Sequence, residues 1–148
     1  MKKPLAILSF LQQLLLLSCL LLAFPSSAEQ KVQLGNWDVH YIVLPSTVLT
    51  PAVAKAYGLQ RSRYQAFVNI SVLDSQTQQA QSVVVSGTAT DLLGNVRQLE
   101  FQQVNEQQSI YYLAQFSIDA EELWRFEINL RHGNTSEQFK FKQKMFIE

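Results

Sequence analysis

Arg61 and Arg63 are the residues whose type and spacing best suit binding chemistry. They lie two positions apart in "LQRSRY", and in an extended segment such side chains point the same way. A planar guanidinium can bind two oxygens at once, so the pair suits a carboxylate or a phosphate. The alternative is that both arginines pair with acids at the rim, such as Asp38 or Glu148, or are simply solvated.

An Asp-x-His pair, Asp38 and His40, is the strongest candidate for acid–base chemistry. A carboxylate on the same strand face could orient the imidazole, but the sequence has no Gly-x-Ser-x-Gly nucleophile elbow. The second histidine, His132, is far away in the chain, and two such histidines make a poor zinc signature. We therefore predict no catalytic residues, no metal site and no cofactor. A hydrolase with a site around Asp38, His40, Arg61 and Arg63 remains the alternative.

Three lysines, Lys140, Lys142 and Lys144, alternate with apolar residues in the last predicted strand and should share one face. The opposite face is predicted to carry Phe139, Phe141 and Met145. Lysines on an outer strand discourage edge-to-edge aggregation. The functional alternative is a cationic stripe for anionic lipid headgroups or an acidic partner, at about 1 kcal/mol per lysine.

The first 28 residues read as a secretory signal peptide. Two lysines precede an apolar run over residues 5–24, and the small residues of "SSA" precede Glu29. An uncleaved membrane anchor is the alternative, since the run approaches the length of a spanning helix. Lipidation at Cys19 is disfavoured because three leucines follow it directly. We expect export to the periplasm and no transmembrane segment after cleavage.

Residues 29–148 suit one domain with its own core. This segment has no cysteine, which excludes disulfides, a thiolate nucleophile and a cysteine metal site. Without Lys2 and Lys3 it has ten Lys and Arg against twelve Asp and Glu, a net charge near minus two. The domain therefore lacks the excess positive charge that is typical of nucleic-acid-binding proteins, and we expect no nucleic acid partner.

Alternation of apolar and polar residues dominates the domain. It places Trp37, Val39, Tyr41 and Val43 on one face, and does the same for Tyr64, Ala66, Val68, Ile70 and Val72. About seven such segments follow one another at the spacing of an all-β sandwich. We predict an immunoglobulin-like antiparallel β-sandwich, with a small closed β-barrel as the alternative.

One segment, "LTPAVAKAYGLQRSRY", reads as a short helix followed by a basic hook. Thr50 can cap the helix, Pro51 suits its first position, and Gly58 can end it. So short a helix needs packing to persist, for which Val53 with Ala56 or Tyr57 offers one face. It is predicted to lie in a crossover between the sheets that plugs an open end of the sandwich, or to frame a recognition site.

The stretch "LGNWDVHYIVLPSTVLTPAVAKAYGLQRSRYQAFVNISVLD" closely resembles an exported Gram-negative family catalogued as domain of unknown function 4426. The resemblance extends to "SVVVSGTATDLLGN" and "IYYLAQF". It implies a periplasmic, single-domain, β-rich protein with no established activity, and so no catalytic residues to transfer. The residues that carry it are Trp37, His40, Tyr41, Tyr57, Gly58, Arg61, Ser62, Arg63 and Asn69.

The leading hypothesis is a non-enzymatic periplasmic binding module whose partner is an envelope protein or an anionic envelope ligand. Aromatic residues and arginines anchor interfaces, which favours a surface built from His40, Tyr57, Arg61, Arg63 and Tyr64. A structural protein that associates with the membrane surface through the three lysines is a further alternative. The oligomeric state is left open.

Overall fold

The structure, a computed structural model, describes residues 30–147. The predicted signal peptide, the question of Cys19 lipidation and Glu148 lie outside these residues. Over residues 30–147, no helix is long and apolar enough to cross a membrane.

The described chain folds into nine β-strands in two antiparallel sheets, which confirms the predicted all-β sandwich. One sheet has five strands in the order β1-β2-β3-β7-β6, and the other has four in the order β5-β4-β8-β9. The strands are β1 (Gln30–Leu34), β2 (Trp37–Pro45), β3 (Gln65–Asp74), β4 (Val84–Thr90), β5 (Val96–Leu99), β6 (Gln102–Glu106), β7 (Ser109–Ser117), β8 (Glu122–His132) and β9 (Thr135–Met145).

Two features raise the strand number above the predicted seven. The seven predicted strands do not include β1, which pairs with β2 across a tight turn at Gly35, whose φ is +55°. The segment "VRQLEFQQV", residues 96–104, is one of the seven predicted strands, but its halves belong to different sheets. Alternation within one segment does not reveal that a chain changes sheets, because both halves keep the same period.

The alternative of a small closed barrel is wrong. Over the described residues neither sheet closes: β1 and β6 are the edges of the larger sheet, and β5 and β9 are the edges of the smaller one. The core therefore lies between two open layers rather than inside a ring.

The core consists of the inward-facing residues that the alternation predicts. Val68, Ile70 and Val72 of β3 are fully buried, and they pack in one cluster with Trp124, Phe126 and Ile128 of β8. In β9, Phe141 stacks on Phe126 at 4.7 Å between ring centroids, so the predicted core face of this strand is confirmed. Tyr64 is the exception: it precedes the first residue of β3 and is 52% exposed.

The short helix, α1 (Pro51–Ala56), follows a 3₁₀ turn at Ser46–Val48 and has the predicted caps. The Thr50 hydroxyl accepts a hydrogen bond from the Val53 amide at 3.3 Å. At the other end, Gly58 has a φ of +65°. Beyond it, the Leu59 amide donates to the Ala54 carbonyl at 2.8 Å, which is the Schellman arrangement.

The predicted crossover position of this helix is wrong. Residues 46–64, here called the insertion, join β2 to β3, which are antiparallel neighbours in the same sheet. The insertion lies over the outer face of the five-stranded sheet instead of plugging an end. That face needs a cover because it is partly apolar: Phe67 of β3 and Leu113 of β7 point outward yet are only 6% and 7% exposed.

Candidate functional site

A reciprocal pair of hydrogen bonds closes the base of the insertion. Ser46 is fully buried, and its hydroxyl donates to the Ser62 carbonyl and accepts from the Ser62 amide, both at 2.9 Å. The two ends of the insertion are therefore held together just beyond the last residue of β2.

Polar contacts fasten the rest of the insertion to the outer sheet surface. The backbone of Gln60 exchanges two hydrogen bonds with the side chain of Gln115 in β7, at 2.8 and 2.9 Å. Gln102 of β6 donates to the Tyr57 carbonyl at 2.6 Å, and the Tyr57 hydroxyl donates to the Glu106 carboxylate. The insertion thus reaches across the sheet to its edge strand.

Between the insertion and the sheet lies a groove of about 370 Å³. Most of its lining is aliphatic or aromatic, and its volume is within the range of small-molecule sites. The sheet contributes Ile42, Leu44, Phe67, Asn69, Val104, Glu106, Tyr111 and Leu113, and the insertion contributes Leu49, Val53, Tyr57 and Leu59.

Few polar groups line this groove, and two of their atoms are free to accept a hydrogen bond. The Asn69 side-chain oxygen is buried and has no hydrogen-bond partner within the described chain. The described hydrogen bonds of Glu106 use only its Oε1. The hydrogen bond to Glu106, with burial and nearby charge, raises the pKa of the Tyr57 phenol, which therefore stays a donor at neutral pH.

Of the predicted binding residues, only Tyr57 lines the groove. Arg61 donates to the Thr47 carbonyl at 3.1 Å, and Arg63 lies over the Tyr64 ring at 5.4 Å from its centroid. All three of these side chains, Arg61, Arg63 and Tyr64, are exposed.

Asp38 is held away from both arginines. It is 5% exposed and pairs with Lys31 at 2.8 Å. The hydrogen bond from Lys31, followed by one from Gln78, lowers the pKa of its carboxyl. The suggested rim pairing of an arginine with Asp38 is therefore not observed.

The predicted hydrolase residues do not share one pocket. Asp38 and His40 lie on the outer face of β2, and His40 is next in that row to Ile42 of the groove without lining it. From Asp38 to Pro45 the strand extends about 23 Å, and Arg61 binds beyond that end, at Thr47. The strand length separates the carboxylate from the guanidinium groups.

The three lysines share one exposed face of β9, as predicted. Lys140 pairs with Glu127 and Lys144 with Glu121, each at 2.7 Å. Lys142 lies opposite Arg125 of β8. Two of the three positive charges are thus balanced by neighbouring carboxylates.

Sequence reasoning missed most of the groove, including Asn69, Tyr111 and Glu106. A usable signal was present: β2, β3 and β7 carry apolar residues at outward as well as inward positions, which indicates a covered outer face. Residues 30–147 contain no group of three or more His, Cys, Asp and Glu side chains placed to hold a metal ion.

Comparisons with known structures support the fold. The chain is similar to a DUF4426 family protein from Pseudomonas aeruginosa PAO1, with 38% identity, a TM-score of 0.72, and coverage of 81% of this chain and 96% of that one. It is also similar to FetP of uropathogenic Escherichia coli strain F11 in two structures, at 10% and 9% identity with TM-scores of 0.58 and 0.59. These cover 79% and 80% of this chain and 94% of FetP, and one is a copper-bound variant. At such identity the likeness to FetP shows the fold alone.

No curated protein matches the sequence. The family comparison, in contrast, covers nearly all of the described chain. The model of the domain of unknown function DUF4426 matches residues 31–148, in agreement with the resemblance noted in the sequence. The chain belongs to the DUF4426 family.

Proposed function

We propose that the protein is a non-enzymatic binding module of the periplasm that holds a small amphipathic ligand in the groove between the insertion and the five-stranded sheet. The groove itself carries this proposal. An apolar concavity of about 370 Å³ with a few polar groups is the usual form of a small-molecule site. Its volume lies near the lower end for such sites, which favours a short alkyl chain or a fused aromatic ring over a long lipid.

The architecture around the groove supports a binding role. Three sets of hydrogen bonds, at Ser46, Gln60 and Tyr57, hold the insertion at a defined position on the sheet. A groove held open in this way before the ligand arrives avoids part of the ordering cost of binding. Export by residues 1–28 would bring the module to the envelope.

Catalysis and copper binding are less well supported for this chain. The hydrolase alternative needs the Asp38–His40 pair beside the arginines, but Asp38 lies near the start of β2 and Arg61 binds at Thr47, beyond the end of that strand. The copper of the FetP variant belongs to a protein with 10% identity, so it is not proposed for this chain. Membrane association through Lys140, Lys142 and Lys144 is also less well supported, because carboxylates neutralise two of these three lysines.

Titration with N-phenylnaphthylamine, an uncharged probe that fluoresces in apolar sites, tests the proposal. We expect saturable binding at one site. Changing Val53, which lines the groove and is 39% exposed, to Glu should weaken binding about tenfold because a charge then borders the apolar surface. Val48→Glu is the matched control, since Val48 belongs to the insertion and is 54% exposed but does not line the groove.

Two results would overturn the proposal. One is fluorescence that rises without saturation in the wild-type protein. The other is equal binding by the Val53→Glu and Val48→Glu variants, which would place the probe elsewhere. Far-ultraviolet circular dichroism of both variants checks that the sheets are intact.

A further inference from the structure

We infer that the groove selects ligands whose polar end is a positively charged hydrogen-bond donor, such as a primary ammonium, attached to an apolar body. This inference rests on the proposed function, because it concerns the chemistry of the ligand in the same groove. It differs from the anionic partner that Arg61 and Arg63 suggest in the sequence.

The charge of the lining is the first argument. Glu106 is the single charged residue among the described groove residues, and none of them is Lys, Arg or His. Lys55 is the basic residue of α1 but does not line the groove. A carboxylate or phosphate headgroup at this site would meet a like charge, whereas an ammonium would meet an opposite one.

The unpaired hydrogen-bonding atoms are the second argument. Tyr57 donates its hydroxyl hydrogen to Glu106 Oε1, and Oε2 has no partner within the described chain. The buried Asn69 oxygen is also an acceptor without a donor. Because Glu106 is exposed, water hydrates Oε2 in the free protein, and a ligand donor would exchange that water for a charge-assisted hydrogen bond. A ligand acceptor could hydrogen-bond neither oxygen.

The sheet register gives the ligand an orientation. Asn69 of β3 pairs with Leu113 of β7, and Leu113 pairs with Gln102 of β6. Asn69 therefore lies level with Gln102, at the opposite end of β6 from Glu106. Gln102 and Glu106 are four positions apart in the strand, or about 13 Å. One headgroup cannot reach both acceptors. We place the ammonium at Glu106 and the apolar body over Val104, Tyr111 and Leu113, towards Asn69.

Displacement of bound N-phenylnaphthylamine by three molecules with the same octyl chain tests this inference. The competitors are octylamine, octanol and octanoate at about pH 7, where the amine is protonated and the acid is ionised. We expect octylamine to bind about fivefold or more tightly than octanol, as for a charge-assisted hydrogen bond at a partly exposed site. Octanoate should bind most weakly.

Glu106→Gln provides the matched variant, because glutamine keeps an acceptor for the Tyr57 hydroxyl while removing the charge. It should abolish the difference between octylamine and octanol, with both competitors compared at the N-phenylnaphthylamine affinity measured for the variant itself. Glu100→Gln, at an exposed position outside the groove, should keep the wild-type order.

The outcomes separate the two proposals. If the three octyl competitors displace the dye equally, or octanoate is the strongest, the ammonium preference is wrong while the groove remains a binding site. If Glu106→Gln retains the full preference for octylamine, Glu106 is not the recognition group and the inference is also wrong. If the wild-type protein gives no saturable dye binding, the proposed function itself fails.

Discussion

Replacing Ser46 with alanine should loosen the insertion by removing one hydroxyl group. This hydroxyl is fully buried and forms two hydrogen bonds with the backbone of Ser62, both at 2.9 Å. In the variant the Ser62 amide and carbonyl lose their partner. The change deletes a single oxygen atom, so little cavity volume is added.

The expected loss in the free energy of unfolding follows from those two hydrogen bonds. A hydrogen bond in a protein contributes about 1 kcal/mol net, and a buried group left without a partner costs about 1–3 kcal/mol. We therefore expect the free energy of unfolding to fall by about 2 kcal/mol. Because the insertion positions Leu49, Val53 and Tyr57 over the groove, the affinity for N-phenylnaphthylamine should fall as well.

Urea denaturation followed by tryptophan fluorescence measures this effect, since Trp124 is in the core. The midpoint should decrease while the dependence on urea concentration stays constant, as expected for a change in stability alone. Ser62→Ala is the control: its hydroxyl accepts one hydrogen bond from the Tyr64 amide at an exposed site, and we expect a loss of at most about 0.5 kcal/mol. If Ser46→Ala and Ser62→Ala have equal stability, the paired hydrogen bonds do not hold the insertion.

Two other predictions concern the four-stranded sheet. A Cβ atom at Gly87 would lie 2.6 Å from the Glu127 carbonyl and 2.7 Å from the Ile128 side chain, so Gly87→Ala should cost about 1–3 kcal/mol in thermal unfolding; an unchanged melting temperature would contradict this. Hydrogen bonds lower the pKa of Asp91 below its ordinary value of 3.8, and the one from the Asn95 side chain has the largest effect. Its stabilising contribution is therefore present above about pH 4 and is lost as the pH falls through the lowered pKa. Stability should thus decrease less below pH 4 in Asp91→Asn than in the wild type, and parallel pH profiles would refute the reasoning.

Local signals in the sequence predicted the secondary structure and the core faces well. Alternation predicts the buried faces of β2, β3 and β9 because successive side chains of a strand point to opposite sides whatever its neighbours are. The helix ends at Thr50 and Gly58 were equally predictable, since a cap depends on residues three or four positions away.

The sheet assignment of each strand and the position of the insertion came from the tertiary structure alone. Whether residues 96–104 form one strand or two depends on partners elsewhere in the chain, which local alternation does not report. The groove brings together Asn69 of β3, Glu106 of β6 and Tyr57 of the insertion. These residues are distant in sequence. The pairing of β3, β7 and β6 places Asn69 and Glu106 on one sheet face, and the packing of the insertion on that face adds Tyr57.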